Sequence, residues 1–128
     1  MGVRVFVIHR PITRNEVSFP LEPKLTGAIL EYFHVVREEQ GGELVRGMRF
    51  EADRELLQAR LLQLAHRVTK DYDLMDLECF RRVGEVASGE PCLLLRIAAT
   101  HFSEAHRALS DFLEELRTID ITSAPLLK

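Results

Sequence analysis

The amino-acid sequence predicts an α+β protein in which two helices pack on a mostly antiparallel sheet. Three observations carry this. Apolar residues recur at helical spacing in two stretches, Asp53–Thr69 and Ser103–Ile119. Short alternating or β-branched runs fill much of the remainder, and they come in pairs punctuated by turn residues. The composition is that of an ordinary globular chain: 128 residues, 46% hydrophobic and 29% charged. That is enough for one core, and a single domain is expected over residues 1–128.

The elements follow in order. Val3, Val5 and Val7 alternate with Arg4, Phe6 and Ile8, and this strand ends at His9-Arg10-Pro11. Residues Ile12–Thr26, with Asn15, Pro20 and Pro23, read as a loop holding at most one helical turn. Ala28–Val36, rich in apolar and β-branched residues, is a strand after Gly27. Gly41-Gly42 is a tight turn into Leu44–Glu51, whose alternation sets Leu44, Arg46, Met48 and Phe50 on one face. The first helix has Leu57, Leu61, Leu64, Ala65 and Val68 as its stripe. Asp53 and Glu55 open it and Arg67 and Lys70 close it, as the helix dipole favours. Leu74–Val83 alternates Met75, Leu77 and Cys79 against Asp76 and Glu78. Cys92–Thr100 is nearly all apolar, the mark of a central strand covered on both faces. Gly84–Gly89 between them is expected to be a hairpin connection. The last helix carries Ala105, Ala108, Leu109, Phe112, Leu113 and Leu116 on its stripe, with Ser103 as N-cap. Residues 120–128 are expected to form a short tail that need not be ordered.

Composition also excludes. A formal net charge of −3 gives no basic excess of the kind nucleic-acid binders show. No apolar run reaches the ~18–20 residues of a membrane span; the longest, Pro91–Ala99, is broken by Arg96. Met1–Arg10 holds no signal-peptide pattern. The expectation is a cytoplasmic chain with no nucleic-acid or membrane partner. Cys79 and Cys92 are too few for a disulfide framework and read as a reduced, buried pair. His9, His34, His66, His101 and His106 show no metal-ligand spacing, and phosphate-binding and nucleophile motifs are absent. No metal or cofactor is expected.

What remains is a set of cations and one imidazole at strand ends: Arg37, Arg81, Arg82 and His101. By residue type alone the arginines read as solvated charges and His101 as a helix-start residue. Side chains leaving strand ends can also converge on a ligand, and a helix start near Ser103 adds N–H donors for an anion. If the strands before Arg37 and His101 end on one edge, the two share a pocket.

The order of motifs resembles the large, catalytic subunit of molybdopterin synthase. Gly27-Ala28 through Phe33 into Val35-Val36-Arg37 is similar to the family's G-A-x-x-x-F-x-G-x-V-R segment. Gly42, Val45 and Phe50-Glu51 match the segment before its long helix. Arg81-Arg82-Val83-Gly84-Glu85-Val86 resembles its H-R-x-G-x-L/V, and Thr100-His101 its S-x-H-R. The resemblance spans about Gly27 to Arg117. It implies a hammerhead-like α+β fold, a homodimer, and a ubiquitin-like sulfur-carrier small subunit completing a heterotetramer. It further implies that the carrier's thiocarboxylate supplies sulfur to an anionic pterin, cyclic pyranopterin monophosphate. Arg37 and His101 match family positions that hold anionic groups, and Arg81 and Arg82 would add positive field.

The sequence departs from the family at three places. Phe102 follows His101 where the family has Arg, and Arg81 replaces a His. The family's C-terminal lysine motif gives way to Ile119–Lys128, so that Lys128 alone is left as an acid/base. Three readings stay open, the first two being a sulfurtransferase with Lys128 and His101 in catalytic roles and a non-catalytic homologue that keeps the dimer and the carrier surface. An unrelated dimeric ligand-binding module is the third.

Overall fold

The computed structural model describes residues 2–13, 23–119 and 121–128. Along the chain run β1 (Gly2–Ile8), β2 (Ala28–Val35), β3 (Glu39–Gln40), β4 (Glu43–Glu51), α1 (Arg54–Asp71) and β5 (Asp76–Arg82). Then come β6 (Gly84–Ala87), β7 (Pro91–Ala99), α2 (Phe102–Leu116) and β8 (Thr122–Leu127). The larger sheet has the order β1-β5-β7-β2, with β1 parallel to β5 and the other pairs antiparallel. The smaller sheet is built on β4, which pairs antiparallel with β3, β6 and β8. The arrangement is α+β and mostly antiparallel, as the periodicities predict.

Both helices lie on one face of the larger sheet. Leu57, Leu61, Ala65 and Val68 of α1 and Ala105, Ala108 and Phe112 of α2 close over Leu77, Cys79, Leu93, Leu95 and Ile97. β7 is central, and Cys92–Ala99 is buried throughout, as an apolar run between two neighbours requires. On the opposite face Ile12 packs on Phe80 and Leu94, and Arg4, Asp76, Glu78 and Arg96 form an ionic row. Arg4 bonds both carboxylates at 2.8–2.9 Å, and Arg96 reaches Glu78 at 3.1 Å. Phe6, Ile29 and Val35 are exposed on the two edge strands of this sheet.

Four expectations need correction. The Gly84–Gly89 segment is not merely a connection. Gly84, at φ 89°, turns the chain out of the larger sheet, and β6 crosses to pair with β4. Gly47 of β4 permits that pairing, because a Cβ there would lie 2.3 Å from the Val86 carbonyl oxygen. The face expected on β4 is broken by a bulge at Val45–Gly47, which buries Val45 and leaves Leu44 exposed. The N-cap of α2 is His101 rather than Ser103, and its backbone N–H donates to Glu104 Oε2 at 3.3 Å. Finally, the expected tail is β8, held along β4 from Glu51↔Thr122 to Val45↔Leu127 with Leu126 buried. The expected loop over Ile12–Thr26 lies partly outside the described residues.

Candidate functional site

The end of β2 and the start of β7 meet at one edge of the larger sheet. Val36 N–H donates to the Glu90 carbonyl at 3.0 Å, and Gly89 N–H donates to the Val36 carbonyl at 2.7 Å. Two hollows flank this strand end.

The first is an open cleft of about 670 Å³ between the β2 exit and the smaller sheet. Arg37, Arg46 and Lys128 line it together with Glu38. Its wall is fixed by Ser88, whose hydroxyl donates to the Val45 carbonyl at 2.8 Å and whose N–H donates to the Arg46 carbonyl at 3.0 Å. β8 delivers Lys128, because pairing Leu127 with Val45 places the next residue against Glu38. The ammonium of Lys128 donates to the Glu38 carboxylate and holds that carboxyl below its ordinary range. Arg46 lies 3.7 Å from Glu85. The Arg37 guanidinium has no ion-pair partner among the described residues. With Lys128 set against Glu38 and Arg46 against Glu85, Arg37 is the charge that the cleft offers to an anion.

The second hollow, about 690 Å³, lies on the helix side between β2, β5, β7 and the end of α2. Alternation along β2 turns Tyr32 and His34 into it, and β5 contributes Arg81. Leu57, Leu93, Leu113, Leu116, Ile119 and Ile121 give it an apolar lining, with Ser110, Glu114 and Arg117 from α2 and its exit. Arg81 is 6% exposed, lies over the Phe50 ring at 4.7 Å, and sets Nη1 3.8 Å from Cys92 Sγ. It has no carboxylate partner among the described residues, and its Nε is buried without a hydrogen bond. Burial works against this charge. Burial, and then the Arg81 charge, push the His34 imidazole below its ordinary pKa. Burial also pushes the Cys79 thiol up to about 12 and raises that of Cys92, so neither is an activated thiolate.

The residues singled out in the sequence therefore divide. Arg37 and Lys128 share the cleft, and Arg81 lies in the cavity on the other side of the same strand end. Arg82 is not among the lining residues of either hollow. Its guanidinium bonds Glu90 at 2.9 Å and the Glu85 carbonyl at 3.1 Å, tying down the β6–β7 turn. His101 is elsewhere. β2 and β7 run antiparallel from Ala28↔Ala99 to Val35↔Pro91, so Arg37 and His101 stand at opposite ends of the pair. About seven steps of ~3.3 Å separate those ends, more than 20 Å, and the two side chains do not share a pocket within one chain. Sequence reasoning missed Arg46, Tyr32, His34 and Arg117. The signal for two of them was the alternation Leu30, Tyr32, His34, whose polar end continues an apolar face. Among the described residues no group of three or more His, Cys, Asp or Glu is placed to hold a metal. No helix among them is long and apolar enough to cross a membrane.

Two helices on one face of a mixed sheet, with cations gathered at one strand end, define an α+β protein. More particularly, the chain belongs to the MoaE protein family, whose profile matches residues 7–119. It is 29% identical over 93 residues to the molybdopterin synthase catalytic subunit of Caulobacter vibrioides, covering 73% of this chain and 61% of that one. It is 24% identical over 91 residues to that of Thermoplasma volcanium, covering 71% and 66%. The match thus spans less than two thirds of each relative's length. Among solved structures, molybdopterin synthase from Staphylococcus aureus superposes with a TM-score of 0.84 at 17% identity, over 96% of this chain and 90% of that one. The complex of subunits 1 and 2 of molybdopterin-converting factor from Helicobacter pylori gives 0.77 at 20% identity, over 96% and 84%. These superpositions establish the fold.

Proposed function

We propose that this chain is a molybdopterin synthase catalytic subunit, transferring sulfur from a thiocarboxylated, ubiquitin-like carrier protein to cyclic pyranopterin monophosphate in molybdenum cofactor biosynthesis. The observation that carries this is the return of β8, which sets Lys128 beside Arg37 and Arg46 in one cleft. Sulfur transfer to a phosphorylated pterin brings together two anions, the thiocarboxylate and the phosphate. Arg37 is the better clamp for either, because its planar fork bonds two oxygens at once. As the thiocarboxylate sulfur bonds to a pterin carbon, the oxygen on that carbon leaves as water with a proton from the Lys128 ammonium, which Glu38 holds in place. Hydrolysis of the acyl–sulfur bond then releases the carrier as a carboxylate. Arg81 adds fixed charge from the cavity side of the strand end. A second copy of the chain brings in His101, which lies too far from Arg37 to act with it in one protomer. The reaction is cytoplasmic.

The test is a sulfur-transfer assay with the purified chain, thiocarboxylated carrier and pterin precursor, scored by dithiolene formation. Product formed at the strand end and lost in Arg37→Ala supports the proposal. No product with a carrier that binds the chain tightly favours the second reading, a non-catalytic homologue that keeps the dimer and the carrier surface. Two observations favour that reading: among the described residues no lysine lines the cavity, and Lys128 is engaged with Glu38.

A further inference from the structure

We infer that the cavity between β2, β5 and α2 is an anion site in which Arg81 supplies the fixed charge and His34 takes up the proton that accompanies the anion. The ligand class is a carboxylate or an oxyanion attached to an apolar body. The inference deepens the reading of this strand end as a sulfur-transfer site, and it rests on that reading only for its place in the reaction.

The geometry comes from both walls. Arg81 is a buried cation lining a hollow of about 690 Å³, with Nε unbonded and no carboxylate within ion-pairing distance among the described residues, although Glu114 lines the same hollow. A guanidinium in that state carries a desolvation cost that the attraction of an entering anion offsets in part. Its one ring contact, over Phe50, and its weak sulfur contact leave bonding capacity unused. His34 lines the same cavity from β2, and the Cys92 thiol donates to its carbonyl at 3.5 Å. The titratable and charged groups around it are Tyr32 on its own strand, Arg81 from β5, Cys92 from β7, and Glu114 and Arg117 from α2. Leu57 is the α1 residue facing the cavity and carries no charge.

Burial, and after it the charge of Arg81, disfavours the imidazolium form of His34. An anion against Arg81 cancels that repulsion and offers the imidazole a partner. His34 is then the cavity group whose protonation the anion favours. Coupling is reciprocal: whatever raises the proton affinity of His34 tightens the anion by the same factor on protonation. The cavity therefore binds its anion more tightly as the pH falls, and it carries a proton into the site along with it.

The experiment is a pH titration of the His34 ring by NMR in the full chain, with and without a saturating probe. Sulfate is one probe, because its charge is constant between about pH 5 and pH 8. N-acetylglycine, a carboxylate, is the other; the two arms separate an oxyanion site from a carboxylate site. The expected result is an upward shift of the His34 midpoint by about one unit with at least one probe, equivalent to about tenfold tighter binding below the midpoint. Calorimetry in buffers of different ionisation enthalpy should show proton uptake, absent in His34→Gln although binding persists. Arg81→Met, its fold checked by circular dichroism, should abolish the shift, whereas Arg37→Ala should leave it. No shift with either probe overturns the inference, as does a shift that survives Arg81→Met or is lost in Arg37→Ala. Sulfur transfer need not occur for any of these readouts, so the site and the proposed reaction fail separately.

Discussion

Replacing Arg81 by methionine should stabilise this protein while removing a functional charge. The side chain is 6% exposed and lacks a carboxylate partner among the described residues, so the fold carries a buried cation that is only partly compensated. The compensation visible is a cation–π contact with Phe50 at 4.7 Å, worth about 1–2 kcal/mol when desolvated, and a weak contact to Cys92. Against this stands an effective desolvation penalty of several kcal/mol for a buried ion, reduced here because one side of the guanidinium faces an open hollow. Methionine has similar length, keeps the contact with the Phe50 ring through its sulfur, and needs no hydrogen bonds. The balance predicts about 1–2 kcal/mol of added stability in urea melts, read from the midpoint at constant slope. A loss greater than about 1 kcal/mol would refute the reasoning, because it would mean that the cation is a net stabilising element of the core rather than a charge retained for binding.

Phe112, fully buried beneath the larger sheet, should cost about 3–5 kcal/mol when cut to Ala in the same melts; a loss under about 1 kcal/mol would contradict its place in the core. Lys128→Ala removes an exposed ion pair, so stability should be nearly unchanged while sulfur transfer falls about a hundredfold. His34 has a lowered pKa in the folded chain, so folding favours its neutral form. Its share of stability is present above the ordinary histidine pKa and is lost as pH falls below it, and His34→Gln should flatten the pH dependence of the melting temperature there. Mixing Arg37→Ala with His101→Ala should restore about a quarter of wild-type sulfur transfer if two protomers share each site, since half of random dimers are mixed and each holds one intact site; no recovery refutes the shared site.

How much was legible in the sequence depended on how local the cause of each element was. The two helices announce themselves because one stripe per helix meets one core: Leu57 through Val68 and Ala105 through Phe112 all reach it. Asp53 is the cap of α1 that its position suggests, accepting the Leu56 N–H at 3.1 Å. β6 and β8 had no such signal. Each is short and largely exposed, and each exists because β4 offers an unpaired edge, a fact about a different part of the chain. His101 displaced Ser103 as the cap of α2 because β7 runs to Ala99 and leaves His101 in extended geometry, with Glu104 three residues on to bond its N–H.

The site was harder to read for a related reason. Arg37 was recognisable from its motif, but its companion Lys128 meets Glu38 across 90 positions of sequence, through a strand that periodicity does not show. Apolar runs gave the lengths of β2 and β7 but not their directions, and direction decides which ends coincide. With β2 and β7 antiparallel, the exit of one lies beside the entrance of the other, so the residues after the two strands are driven apart. The same register brings the residues before β7 next to those after β2, which is why Ser88 and Gly89 form the wall of the Arg37 cleft. A pocket using both Arg37 and His101 thus demands two chains. The exposed apolar side chains on the edge strands β1 and β2, Phe6, Ile29 and Val35, are surface on which a second chain would gain by docking.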